Sequence, residues 1–225
     1  MVTLSLDTTT AAGSVALAEN ARVLEVVAID PAQPVATRLP GDLMALLDRH
    51  HTALGTIDVF AVSTGPGSFT GLRIGIATMQ GLALAHAKPL IGVSSFEALA
   101  SFARDDAHRQ AGGRVAVWID AARGEVYATA YEQGREIVEP FVALPEAVLA
   151  ASPADGETVF VGDGAVKHRT RIPGRVIEPT PLIAGAIAAI ASARAGHGEA
   201  PPPHAIRPLY VRRPDAVLAR EKSAG

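Results

Sequence analysis

The chain has 225 residues, 48% of them hydrophobic and 19% charged, with a net charge of −3 and no cysteine. Disulfides, thiolate catalysis and cysteine-based zinc sites are therefore excluded. The slightly acidic balance argues against a protein that grips nucleic acid alone, since phosphate contacts call for a basic field.

The opening, MVTLSLDTTT, lacks a charged n-region and a cleavage site, so no signal peptide is expected and a cytoplasmic location fits. VTLSL reads as a strand ending at Asp7, SVALAE alternates, and ARVLEVVAI reads as a third strand after Glu19-Asn20. Leu39, Leu43, Leu46 and Leu47 then recur at helical spacing, which predicts an amphipathic helix over 38–51. A strand at 57–63 leads into the loop 64–71 and a helix over 71–87. That helix is the longest apolar region, but glycines, Arg73, Gln80 and His86 interrupt it, so it is not a membrane span. After a short strand at KPLIGVS, Ser94 and Glu97 form the capping-box pattern that starts a helix near 95.

The polar stretch 105–113 reads as a linker, and after it the opening pattern returns. VAVWID ends in Asp120, AARG turns, EVYATAYE alternates, and a strand follows the Gly134 turn. Strand, acid, turn, strand, turn, strand thus occurs twice, with Asp7 and Asp120 in equivalent places, as in a duplicated unit. A helix near 145–151, a strand at 158–162, a Gly-Asp-Gly turn, a strand near 175 and a helix over 181–195 complete the second half. The expected organisation is an N-terminal domain over 1–104, a smaller one over 113–200 and a basic tail over 201–225 that packs back on the first. Two meander-plus-helix units, each with an acid after its first strand, describe an α/β, actin-like (ribonuclease-H-like) architecture of mixed sheets flanked by helices.

Two loops carry candidate chemistry. At Asp7-Thr8-Thr9-Thr10 the hydroxyls and turn amides can face a phosphate while the acid holds a metal-bound water; equally, the acid can satisfy its own turn. At Gly65-Pro66-Gly67-Ser68-Phe69-Thr70-Gly71 the glycines permit close approach by another chain, and Ser68 or Thr70 can cap the helix, whose start could hold an anion. Asp7, Thr8, Thr9, Gly67, Ser68 and Thr70 are therefore the candidate nucleotide- or anion-facing residues. Neither a Walker lysine nor a nucleophile elbow is present. The histidines are scattered, without the H-x-x-x-H or H-E-x-x-H spacing of a helical metal site. Neither catalytic nor metal-binding residues are expected.

On helix 71–87 the residues Gly71, Gly75, Thr78, Gly81 and Ala85 make a stripe of small side chains that another helix can approach closely. It can serve a partner subunit, together with Arg73 and with Leu43 and Leu47 of the preceding helix, or it can pack internally.

The string GPGSFTGLRIGIATMQGLALA (65–85) resembles the signature of the bacterial TsaB (YeaZ) family. DTTTAAGSVAL, IGVSSFEALA, IDAARGEVYATAY and RPLYVRR extend the resemblance over most of the chain. It implies an actin-like two-domain fold and a non-catalytic partner of TsaD, the subunit that transfers threonylcarbamoyl to adenosine in tRNA. TsaE, an ATPase, would join through the TsaB–TsaD pair, tRNA would be met indirectly, and the isolated chain would form homodimers. No cofactor is expected to bind tightly, with ATP or ADP held only in the complex. TsaD-like proteins carry a histidine pair that this sequence lacks. Many family members have a histidine ahead of the first helix where Val35 and its neighbours stand here. An actin-like ATPase or small-molecule kinase is the alternative reading.

Overall fold

The computed structural model describes residues 1–10, 12–29, 34–108, 113–152, 154–178 and 180–212. The first sheet is built from β1 (Val2–Asp7), β2 (Ser14–Glu19), β3 (Arg22–Ala28), β4 (Val59–Ser63) and β5 (Leu90–Val93), in the order β3-β2-β1-β4-β5. The second uses β6 (Arg114–Asp120), β7 (Val126–Glu132), β8 (Arg135–Ala143), β9 (Val159–Val161) and β10 (Arg175–Val176), in the order β10-β9-β6-β7-β8. Read from the meander side, the two orders are the same: three antiparallel strands, then two parallel ones. This repeated mixed sheet is the actin-like fold expected from the sequence.

Helices α1 (Val35–Arg49) and α2 (Phe69–Ala85) cover the outer face of the first sheet; α4 (Pro145–Ala151) and the short α5 (Asp163–Lys167) cover that of the second. Between the sheets lie α3 (Ser95–His108) and α6 (Ala184–Gly196). Strand alternation sorts the side chains. Leu4, Leu6, Phe60 and Val62 point outward to α1 and α2, whereas Val59, Ala61, Val115, Val117 and Ile119 enter the shared central core. On β1 and β2 the inner face is made of small residues, so α6, itself rich in alanine and glycine, comes close. Thr3 Oγ1 lies 2.8 Å from Ser192 Oγ, Ser5 Oγ donates to Ala184 O at 2.7 Å, and Ala184 N donates to Ser14 Oγ at 3.1 Å. The last bond satisfies one of the helix's orphan amides. Thus β1–β5 fall within 1–104 and β6–β10 within 113–200, but α6, numbered in the second span, lies on the first sheet.

Several boundaries differ from expectation. Helix α1 begins at Val35 rather than 38, directly after Pro34, and carries Pro40 within it. Helix α2 begins at Phe69 rather than 71, because Ser68 caps it by accepting from Gly71 N at 3.2 Å. Helix α3 runs to His108, through the first half of the predicted linker; 109–112 lie outside the described residues. Only half of the capping box forms: Ser94 Oγ accepts from Phe96 N, but Glu97 turns to Arg194 of α6. The Gly-Asp-Gly turn opens α5 instead of leading straight to a strand. Of the tail, 203–210 runs over the first unit and Arg212 reaches the second; 213–225, with Arg213, Arg220 and Lys222, lie outside the described residues. No helix among the described residues is long and apolar enough to cross a membrane.

Candidate functional site

Where the two sheets face each other at the ends of β1 and β6, a cleft of about 530 Å³ opens. The first unit contributes Thr8, Thr9, Thr10, Ser68, Thr70, Gly71, Ile74 and the start of α1; the second contributes Asp120, Ala122 and Asp163. This lining holds two carboxylates and neither lysine nor arginine among the described residues.

Asp7 is fully buried and does not line the cleft. Its Oδ1 accepts from Thr9 N at 2.8 Å and Thr9 Oγ1 at 2.6 Å, and its Oδ2 from Thr10 Oγ1 at 2.5 Å. Burial pushes its carboxyl above the usual range, while the bonds from Thr10 and Thr9 pull it back. Thr9 Oγ1 also meets Ser95 Oγ at 2.9 Å, and Ser95 Oγ meets Ser63 Oγ at 2.8 Å. These hydroxyls knit the hairpin to β4 and to the start of α3. Thr8 and Thr9 are 4% and 3% exposed, with their hydroxyls engaged, so of the first hairpin's threonines Thr10 is the one that most reaches the cleft.

The glycine loop explains this burial. Ser68 N donates to Thr9 O at 2.8 Å, and a Cβ at Gly67 would stand 2.3 Å from that oxygen. A Cβ at Gly71 would stand 1.9 Å from Thr8 O, and one at Gly75 2.3 Å from Thr8 Oγ1. The close approach that the glycines permit is therefore by the chain's own hairpin.

This corrects the predicted partner surface in part. Gly71 and Gly75 are buried against Thr8, while Leu43 and Leu47 are 3% and 0% exposed in the outer core of the first sheet. None of the four is open to a partner. The other half of the stripe is outward: Thr78 is half-buried, Gly81 and Ala85 are exposed, and nothing lies within 4 Å of a Cβ built at Gly81. Ala77 and Leu84, outside the predicted stripe, extend this face, Leu84 being 59% exposed. Arg73 is exposed too; its guanidinium stacks 3.8 Å from the Phe69 ring centre and its Nε donates to Tyr210 Oη at 3.3 Å.

Asp7 and Asp120 both end the first strand of a sheet, but they are not equivalent. Asp7 shares its face with Thr3 and Ser5, towards α6; Asp120 shares its face with Ala116 and Trp118, towards α5. The acids sit one register step apart, and one step reverses the face. Asp120 Oδ2 pairs with Lys167 Nζ at 2.7 Å. Asp163, which sequence reading left unnoticed inside a Gly-Asp-Gly turn, accepts from Asp120 N and Gly164 N, each at 2.9 Å. Burial, with the nearby Asp120 charge adding to it, raises its carboxyl. Among the described residues no group of three or more His, Asp or Glu side chains is arranged to hold a metal ion.

An actin-like protein with a cleft between two similar sheets is the class that this fold and site define. A protein-family model described as "TsaD: tRNA N6-adenosine threonylcarbamoyltransferase" matches residues 33–159. The chain is 36% identical over 167 residues to the tRNA threonylcarbamoyladenosine biosynthesis protein TsaB of Escherichia coli, covering 72% of this chain and 71% of the relative. It is similar to the solved structure of YeaZ from Pseudomonas aeruginosa, with a TM-score of 0.76, 34% identity, and coverage of 93% of this chain and 99% of that one. A Clostridium difficile activator of 2-hydroxyisocaproyl-CoA dehydratase with bound ADPNP, at TM-score 0.56 and 12% identity over 88% of this chain and 97% of that one, shares the fold alone. The chain belongs to the TsaB (YeaZ) family.

Proposed function

We propose that this protein takes part in forming N6-threonylcarbamoyladenosine in tRNAs that read codons beginning with adenine, as the non-catalytic scaffold and activating subunit that pairs with TsaD. Family membership supports the pathway. The observation that carries the scaffold role is the outward face of α2, where Ala77, Thr78, Gly81, Leu84 and Ala85 offer small and apolar side chains without a charge among them. Such a face gains by burial against another helix, and a glycine there lets the backbones approach. TsaD is the proposed occupant, a second copy of the chain takes its place when TsaD is absent, TsaE joins through the pair, and tRNA is met indirectly. The setting is cytoplasmic.

The cleft supports the absence of catalysis by the chain alone. A nucleoside triphosphate would find neither lysine nor arginine lining the cleft among the described residues, and the Thr8 and Thr9 hydroxyls already engaged. ATP or ADP is accordingly bound only in the complex, and no cofactor is held tightly outside it.

The test is reconstitution with TsaD, TsaE, tRNA and TsaC, the protein that the family resemblance implies makes the threonylcarbamoyl adenylate. Omitting this chain should abolish the modified nucleoside, and Gly81→Leu should abolish both co-purification with TsaD and self-association while leaving the circular dichroism unchanged. ATP turnover by the chain alone that disappears in Asp7→Ala, without loss of folding, would favour the actin-like ATPase or kinase reading. Undiminished binding to TsaD by a folded Gly81→Leu variant would remove α2 as the interface.

A further inference from the structure

The segment after α6 returns to the first unit and then leaves it again. Its start, the 3-10 turn Pro203–Ala205, is held by Gln80 of α2, whose Nε2 donates to Pro203 O at 3.0 Å. Ile206 packs into the outer core of the first sheet, in contact range of Gly92 of β5. Leu209 N donates to Thr64 O at 2.7 Å, immediately after β4. The Tyr210 ring lies 5.8 Å from that of Phe69, at the first residue of α2. Val211 then packs against the central core between the sheets. Arg212 ends the run on the second unit. Its Nη1 donates to Ala121 O at 3.0 Å, its Nη2 pairs with Glu125, and its guanidinium lies 5.7 Å from the Tyr127 ring centre.

Both anchor points flank the cleft. On one side the segment holds the loop 64–69, which leads to Ser68 and Thr70; on the other it holds the turn 121–125, which carries Ala122 beside Asp120. We propose that residues 203–212 are a strap across the side of the cleft that sets the distance between the two units. The central core, with α3 and α6, can serve as the hinge about which the ends of β1 and β6 part. Parting them must break either the Leu209–Thr64 bond or the grip of Arg212. Arg212 is the less exposed of the two anchors and makes a charge-assisted, forked contact that a single substitution removes.

The absence of native cysteine permits spin labels at chosen sites alone. Thr37 on α1 and Thr170 on the far unit are both exposed and lie outside the strap and its anchors. With Thr37→Cys and Thr170→Cys labelled in the full chain, double electron–electron resonance should give one narrow distance distribution. Adding Arg212→Ala, or Leu209→Pro, should introduce a second population at longer distance, with circular dichroism unchanged. Arg207→Ala should not, because among the described residues that side chain bonds to carbonyls of the strap itself, those of His204 and Ile206. Leu209→Pro alters the backbone; Arg212→Ala, a side-chain truncation, keeps the test available if the proline variant does not fold. A parent-like distribution in a folded Arg212→Ala variant overturns the proposal, as does a parent protein that already shows both populations.

Discussion

Thr8 Oγ1 donates to the carbonyl oxygen of Gly71 at 2.7 Å, joining the first hairpin to the first turn of α2. The same hydroxyl occupies the space that a side chain at Gly75 would need. One threonine thus sets the requirement for glycine at two positions a helical turn apart, and it does so from the far side of the sheet connection.

Glycine substitutions along α2 should therefore differ in sign. Gly71→Ala forces a methyl group against Thr8 O and should destabilise the protein by about 1–3 kcal/mol, as overpacking does. Gly81→Ala meets open space in the same helix and should stabilise it by about 0.5–1 kcal/mol, through helix propensity alone. Urea unfolding of the two variants beside the parent checks both; equal effects would refute the assignment of faces.

The Asp7 carboxylate satisfies the Thr9 amide and two threonine hydroxyls. Asp7→Ala leaves those donors without their acceptor in a buried place and should cost about 1–3 kcal/mol in thermal or urea unfolding at neutral pH.

Asp7→Asn should behave differently and show a pH dependence. Burial raises the folded-state pKa of Asp7 above 3.8, so the folded protein binds this proton more tightly than the unfolded chain does. Its contribution to stability is then greatest below 3.8 and declines as pH rises towards the folded-state value. Removing the titration should make the stability difference move in favour of Asp7→Asn over that window and level off above it. Asp163 is shifted in the same direction in both proteins and drops out of the difference. Unfolding free energies of both proteins at a series of acidic pH values decide it, and parallel curves would count against the shift.

Leu47, once a candidate for a partner surface, is a core residue. Leu47→Ala should lower stability by about 2–5 kcal/mol, as deletion of a fully buried leucine does. Urea unfolding measures the loss, and the fraction that stays folded should bind a partner normally in ultracentrifugation.

Ile187→Ala tests whether the sheets share one core. The side chain is fully buried on α6 between them, and truncation should again cost about 2–5 kcal/mol. Trp118 is the chain's single tryptophan and lies on the outer side of the second sheet, edge-on to Phe160 at 5.5 Å. Its fluorescence and the circular dichroism should shift together to a lower urea midpoint. Separate transitions would mean that the units unfold independently.

Much of the fold was legible because local patterns and tertiary packing agree. The apolar runs at the start of each half mark strands buried on both faces, and the leucine spacing of α1 names the face that is buried. The glycine motif was legible as a place of close approach, but the approaching group was not. The close contact between Gly71 and Thr8 joins residues far apart in the chain, and period alone cannot show which of a helix's faces meets the sheet. For the same reason Gly75 and Gly81 looked alike. Asp120 and Asp7 looked alike because their topology repeats; the single-residue offset that turns their side chains to opposite faces appears only once the strands are paired. Arg212 was seen as part of a basic tail, yet its grip on Glu125 depends on the path of the segment before it.

The placement of α6 has a consequence for biosynthesis. All five strands of the first sheet leave the ribosome well before Ala184 does, so the inner side of that sheet emerges without the helix that completes it. Until then the hydroxyls of Ser5 and Ser14 lack their helical partners and Ala61 lacks its cover. A nascent chain halted at residue 104 holds a half-finished surface of the kind that chaperones bind. A gene cut at that point would yield two fragments, each missing what the other supplies, which should regain structure only when mixed.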